Sequence, residues 1–272
     1  MKPMRYEYKY LVASDKLEEF RNAISPFFRV DEYAEGRTKQ EYTVRSIYYD
    51  SPNLDDYRDK IEGLKIRKKL RVRAYNEAKP DNLVFLEVKR KYENHISKNR
   101  APLLYVNLEE VLTRIDYTDL LLKKRGYLTT EDDAAKFFFH YRNKFSIPVV
   151  LVVYDREAYF SKFDSTLRIT FDKNLRSLPF PTVDDIYNDA SLKSAMHGYF
   201  VLEIKFYHGY PTWLRKIVGN FGFQRKAVSK YTICSENHDE IKMFIENKKL
   251  LLSDPNIRIG SNYRKDFVKN AG

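Results

Sequence analysis

Five cations at alternate positions, Lys65, Arg67, Lys69, Arg71 and Arg73, stand opposite Ile66, Leu70 and Val72. On an extended strand successive side chains point to opposite faces, so the cations form one row and the aliphatic residues the other. Like charges repeated along one face repel one another unless an anion lies among them. Guanidinium forks and ammonium point charges suit the non-bridging oxygens of phosphates, so the chemistry open to this row is the holding of a phosphate chain. Neighbouring segments divide in the same way. Phe85, Glu87, Lys89 and Lys91 oppose Val84, Leu86 and Val88, and Arg168, Thr170 and Asp172 oppose Leu167, Ile169 and Phe171. Glu203 and Lys205 oppose Leu202 and Ile204, and in Arg5-Tyr6-Glu7-Tyr8-Lys9 charges alternate with tyrosines.

Any one of these strands is explained by an antiparallel sheet with one wet face. A wet face mixes Ser, Thr, Gln and charges of both signs, whereas these rows are mainly Lys and Arg with isolated carboxylates. If the sheet closes with its apolar face outward, the charged face lines a bore and focuses positive potential on a linear polyanion. Lys65, Arg67, Lys91 and Lys205 then belong to the phosphate-binding wall. Carboxylates cannot bind phosphate directly. Their use in such a bore is to hold a hard divalent cation that bridges to phosphate oxygens, with Glu203 and Glu7 the candidates. The plain alternative for Glu7 and Glu87 is pairing with nearby lysines. Phosphoryl transfer draws mainly on positioning and charge neutralisation, so Arg, Lys and Glu suffice.

The elements that must position these rows are legible in outline. Period-2 alternation of β-branched and aromatic residues predicts strands at about 4–12, 42–50, 64–75, 83–92, 148–160, 165–172, 199–207 and 227–234. Helical spacing behind a capping residue predicts helices at about 15–25, 108–124, 130–140, 212–221 and 236–250. The expected fold is α+β, a closed antiparallel eight-stranded β-barrel with helices packed outside. It forms a single domain over 1–256, followed by a basic, flexible tail at 257–272.

With 272 residues, 43% hydrophobic and 15% aromatic, the chain has enough apolar side chains to fold despite 32% charge. A formal charge of +11 points to nucleic acid, a membrane surface or a phosphorylated molecule. Tyr6 and Tyr8 alternate away from the charges, which argues against stacking on nucleic acid. Cys234 is the only cysteine, which excludes an intrachain disulfide and a thiolate metal cluster. Charges near the start, Lys2 and Arg5, and the lack of any run of about 20 apolar residues imply a cytoplasmic chain without a membrane span.

Several segments in order resemble the VTC domain, over about residues 4–235. They are Arg5 to Tyr10, Ser46 to Pro52, Lys65 to Arg73, Leu86-Glu87-Val88-Lys89, Tyr154-Asp155-Arg156, Leu167 to Asp172, Leu202-Glu203-Ile204-Lys205 and Ser229-Lys230-Tyr231. The resemblance implies a triphosphate tunnel metalloenzyme that makes polyphosphate from ATP with Mn2+ or Mg2+. By position it implies that Lys9, Arg71, Arg73, Lys89, Arg156 and Lys230 contact phosphates at the catalytic centre and that Glu203 binds the metal. Tyr154 and Ser229 would seat terminal phosphates, and Lys98 and Arg168 would belong to the same wall. Two positions depart from the pattern. Ala227 stands where fungal members carry a lysine, with Lys226 adjacent, and Arg5 stands where the triphosphatase branch begins its Glu-x-Glu-x-Lys signature. The second departure favours a polymerase; the alternatives are a tunnel triphosphatase and a non-catalytic polyphosphate-binding module.

Overall fold

The computed structural model describes residues 5–253 apart from 38, 80, 94, 124–126 and 208, so the tail expected at 257–272 lies outside the described residues. The chain opens on β1 (Tyr6–Ala13), α1 (Leu17–Ile24) and the short β2 (Phe28–Val30). β3 (Glu41–Asp50) and α2 (Asp55–Ile61) lead into a meander of β4 (Ile66–Tyr75), β5 (Leu83–Tyr92) and β6 (His95–Leu104). Next come α3 (Leu108–Thr113), α4 (Thr130–Asn143), β7 (Ile147–Ser161), β8 (Arg168–Pro179) and the two-residue β9 (Lys193–Ser194). β10 (Tyr199–Phe206), α5 (Thr212–Asn220), α6 (Lys230–Glu236) and α7 (Asp239–Ser253) complete it.

Every ladder is antiparallel, and eight strands run in the order β1-β10-β8-β7-β3-β4-β5-β6, with β2 on β7 and β9 on β8. The closed barrel expected from the sequence is instead an open, curled sheet. Among the described residues β1 and β6 share no ladder. A curled sheet closes only where strand number and stagger bring its two edges into register. Here the chain entering α6 takes the edge of β1 instead: Lys226 N–H donates to the Lys9 carbonyl at 2.8 Å, and Tyr10 bridges Arg225.

Outside the curl the alternation works as expected. Leu70, Val72, Leu86, Val88 and Leu103 pack under α3 and α4 against Leu108, Val111, Phe137 and Phe138. Tyr10, Val12, Phe171, Leu202 and Ile204 do the same under α1 and α5, against Phe20, Ile24 and Leu214. Truncating a buried aromatic such as Phe137 to Ala costs about 3–5 kcal/mol in such a site.

A third cluster lies inside the curl. Val44 and Tyr48 of β3, with Val150, Val152 and Tyr154 of β7, face inward and are covered by Tyr231 and Cys234 of α6. The strand expected at 227–234 is therefore a helix that plugs part of the bore. Its β-branched and aromatic residues mimic strand alternation, but the Ser229 hydroxyl accepts the Thr232 N–H at 3.3 Å and starts a helix. The helix expected at 108–124 ends at Thr113. β6 follows a turn in which Glu93 adopts φ 51°, and polar residues on both its faces hid it from the sequence.

Candidate functional site

Ladder register carries the charged rows to the concave side of the sheet. Lys9 stands opposite Glu203 and Glu7 opposite Lys205 on β1 and β10. Arg156 stands opposite Asp172 on β7 and β8. On β4 and β5, Arg67 opposes Lys91, Lys69 opposes Lys89 and Arg71 opposes Glu87. β6 then adds Lys98 beside Lys89 and Arg100 beside Glu87. The concave side bounds a cavity of about 2370 Å³ lined by Arg71, Arg73, Lys89, Lys98, Arg156 and Arg168 among others, whereas Lys9, Lys69, Glu87, Asp172 and Glu203 are not among its lining residues.

Two buried carboxylate centres organise the cations. At the first, Glu203 lies 2.8 Å from Lys205, 3.2 Å from both Lys9 and Lys230, and 3.6 Å from Arg156. Arg156 donates to Asp172 through Nε and Nη2 at 2.6 and 2.7 Å, and Lys230 also pairs with Asp172. Burial alone would raise the Glu203 pKa; Lys205, Lys230, Lys9 and Arg156 together hold it well below the carboxylate range. Glu7 is held low in the same way by Lys9 at 2.9 Å and Lys89 at 3.3 Å, against the pull of burial.

Glu87 is the second centre and is fully buried. Arg71 Nε donates to it at 2.8 Å, Arg100 Nε at 2.6 Å and Lys98 Nζ at 2.6 Å, with Arg73 Nε at 4.0 Å. Despite burial, these four cations keep Glu87 ionised far below its ordinary pKa. Arg71 reaches the Tyr48 hydroxyl at 2.8 Å, and Arg73 reaches that of Tyr154 at 3.4 Å.

Most sequence-predicted residues therefore meet, and a few do not. Lys9, Arg71, Arg73, Lys89, Lys98, Arg156, Lys205, Lys230, Glu7 and Glu203 converge on the concave face around these centres. Arg67 and Lys91 line the cavity at its rim. Arg168 lines it too but is engaged by Asp31 at 2.5 Å and by the Tyr42 hydroxyl at 3.0 Å. Lys65 precedes the first residue of β4, is 80% exposed, and pairs with Glu93 at 3.6 Å outside the bore. Ser229 spends its hydroxyl on capping α6 and on accepting a 2.6 Å hydrogen bond from Lys69. Arg100 and Tyr48 escaped sequence reasoning; the alternation Lys98-x-Arg100 after the Glu93 turn is the signal that marks the former. Asp50 of the Ser46 to Pro52 segment is architectural: it accepts the N–H groups of Ser51, Asp56 and Tyr57 and the Tyr231 hydroxyl at 2.7–3.0 Å, capping α2 and tying α6 to β3.

Lys69 stands apart. Among the described residues no carboxylate lies within ion-pair distance of it, and burial together with Lys9, Lys89, Lys60 and Arg71 depresses its pKa well below that of a lysine. An unpaired cation of this kind weakens the empty fold and favours a bound anion. Lys69→Met is expected to raise Tm by roughly 2–4 °C, about 1 kcal/mol, while weakening inorganic triphosphate binding about tenfold. Thermal melts and calorimetric titration check the two signs together.

Lys205 provides a pH signature. Burial lowers its pKa to about 8, partly opposed by Glu203 and Glu7. The unfolded chain thus holds the extra proton between pH 8 and the ordinary 10.5, so this residue's contribution to stability rises with pH across that window. A bound polyanion favours the charged form, so its affinity falls as pH rises through 8 and binding there takes up protons. Titrations near pH 8 in buffers of different ionisation enthalpy should give different apparent enthalpies; identical values would remove Lys205 from the binding surface.

An antiparallel sheet curled around a cation-lined bore is the class of architecture this geometry defines. The chain belongs to the VTC domain family, whose model matches residues 4–238. Among solved structures it is similar to a Pyrococcus horikoshii protein (15% identity, 86% of this chain and 99% of that one, TM-score 0.45). It is also similar to a Hippeastrum protein described as an adenylyl cyclase with dominant triphosphatase activity (13% identity, 86% and 96%, TM-score 0.45). A third is the Mimivirus capping enzyme triphosphatase (10% identity, 82% and 89%, TM-score 0.35). No curated protein matches the chain. No described helix is long and apolar enough to cross a membrane.

Proposed function

We propose that the chain is a metal-dependent polyphosphate polymerase that transfers the γ-phosphoryl group of ATP to the end of a polyphosphate chain lying in the bore. The observation that carries this reading is the state of the carboxylates. Glu7, Glu87, Asp172 and Glu203 are each ion-paired with at least two cations, so none faces the bore as a free base. An acceptor that is already an anionic phosphate oxygen has no proton to lose, whereas an attacking water must be positioned and give one up.

In this mechanism Arg71, Arg73, Lys89, Arg156 and Lys230 neutralise non-bridging oxygens and align donor and acceptor. The bond between the γ-phosphorus and the β–γ bridging oxygen breaks, its electrons leave with ADP, and a terminal oxygen of the chain forms the new bond to phosphorus. Among the described residues no three His, Cys, Asp or Glu cluster as a self-sufficient metal site. Glu7 and Glu203 nevertheless both contact the Lys9 ammonium, and with that ammonium turned toward the phosphates the two carboxylates and substrate oxygens would suit a magnesium- or manganese-type ion. When bound there, the ion supplies further charge neutralisation at the phosphates.

Purified protein incubated with ATP and Mn2+ or Mg2+ is expected to form long chains visible on a gel, together with ADP. Release of orthophosphate alone makes the protein a triphosphatase. Binding of polyphosphate without turnover makes it a binding module.

A further inference from the structure

The cavity does not stop at the concave face. Ile66 and Tyr92 are paired at the end of the β4–β5 ladder and are 63% and 59% exposed, forming a rim. Arg67 and Lys91 stand one step inside it. One residue further along each strand, Lys68 and Arg90 are paired on the opposite, convex face, with Ser97 of β6 beside Arg90. Both sets line the same continuous cavity, whose outer part is walled by Lys136 and His140 of α4 and by Lys144 just after it.

A convex surface under a helix is normally apolar core or solvated mixed charge, and this trough is neither. Lys136 leans on Asp133 at 3.5 Å, and Lys144 on Asp55 at 3.1 Å and Asp56 at 3.6 Å. Lys68 and Arg90 have no carboxylate within ion-pair distance among the described residues, and the Arg90 Nε is buried with no hydrogen-bond acceptor. Asp59 and Asp132 also border the trough and reduce its field, without pairing either cation. Burial, then Lys68, Arg90 and Lys144, pushes the His140 pKa down to about 4, so at neutral pH it is a neutral imidazole with an N–H to donate. An unsatisfied guanidinium donor, an unpaired ammonium, a serine and a neutral imidazole in one concavity suit an anion rich in acceptor oxygens.

We propose that this outer trough is a second anion site, which holds the stretch of a linear polyphosphate that emerges from the bore past Arg67 and Lys91 and turns over the Ile66–Tyr92 rim. The proposal rests on the reading of the bore as a polyphosphate site. It makes the protein discriminate by chain length: inorganic triphosphate occupies only the bore, whereas a long chain occupies both.

The test compares binding of inorganic triphosphate and long-chain inorganic polyphosphate to the wild-type chain and to Lys68→Gln/Arg90→Gln. The double variant is expected to bind the long chain about tenfold more weakly and to change triphosphate affinity by less than about twofold. The slope of log affinity against log salt for the long chain should drop by about 1.4, as for two lost phosphate contacts on a flexible strand. Lys136→Gln, an exposed substitution, should shift long-chain affinity in the same direction and serves if the double variant folds poorly. Unchanged long-chain affinity, or an equal loss for both ligands, overturns the trough. Failure of the wild type to bind either ligand overturns the reading of the bore itself.

Discussion

Glu203→Gln is expected to lower the rate of ATP-dependent chain synthesis at least about a hundredfold while leaving triphosphate binding intact or tighter. The two effects have one geometric origin. Glu203 touches Lys9, Lys205, Lys230 and Arg156, so removing its charge leaves four cations short of compensation and more attractive to a polyanion. The same loss weakens the empty protein by about 3–5 kcal/mol, the size expected for breaking a buried ion pair from one side. Turnover would fail for a separate reason, because Glu7 alone leaves the ion one carboxylate ligand. Rate measurements with ATP and metal, paired with calorimetric titration of triphosphate, distinguish these contributions. Full activity in the variant refutes a metal-holding role for Glu203, and a parallel loss of binding and turnover reduces it to a structural one.

Glu87→Gln should produce a loss of stability of the same size, with a fall in Tm of roughly 8–15 °C, corresponding to about 3–5 kcal/mol. Arg71, Lys98 and Arg100 all lean on this one buried carboxylate, and an amide of the same shape cannot take its charge. Phosphate oxygens can replace it, since Arg71, Arg73, Lys98 and Arg100 also line the cavity. Saturating triphosphate is therefore expected to raise the Tm of the variant by more than it raises that of the wild type. Equal ligand-induced shifts in the two proteins would show that the cations around Glu87 are not those the ligand reaches.

The position of Glu87 also marks how far the sequence could be read. Its place on the charged row of Leu86-Glu87-Val88-Lys89 follows from alternation alone. Pairing with nearby lysines was the plain reading there, and Lys98 does pair with it. That it gathers three arginines from β4 and β6 as well was not visible, because β6 carries polar residues on both faces and Lys98-x-Arg100 is its one short alternation of charge. Lys65 failed in the opposite way: it continues the spacing of Arg67 to Arg73, yet it lies one residue outside the strand, next to the Gly63 turn at φ 74°, and so leaves the row. The segment 227–234 has strand-like composition and becomes a helix because the inward apolar faces of β3 and β7 need cover and Ser229 supplies a cap.

What the sequence determined by itself is the set of cationic rows and the family, because alternation of side chains is a property of each strand's own backbone and needs no knowledge of neighbours. The tertiary structure decided the rest. Register chose which carboxylate meets which cation, the curl brought Glu7 to Lys89 from nearly opposite ends of the sheet, and the chain entering α6 took the edge that would have closed the barrel. It also left Lys69, Lys68 and Arg90 without a carboxylate at ion-pair distance among the described residues. Ion pairing depends on distances between segments remote in sequence, and Coulomb energy at a few ångströms in a buried site is large enough to separate a compensated cation from one that awaits an anion.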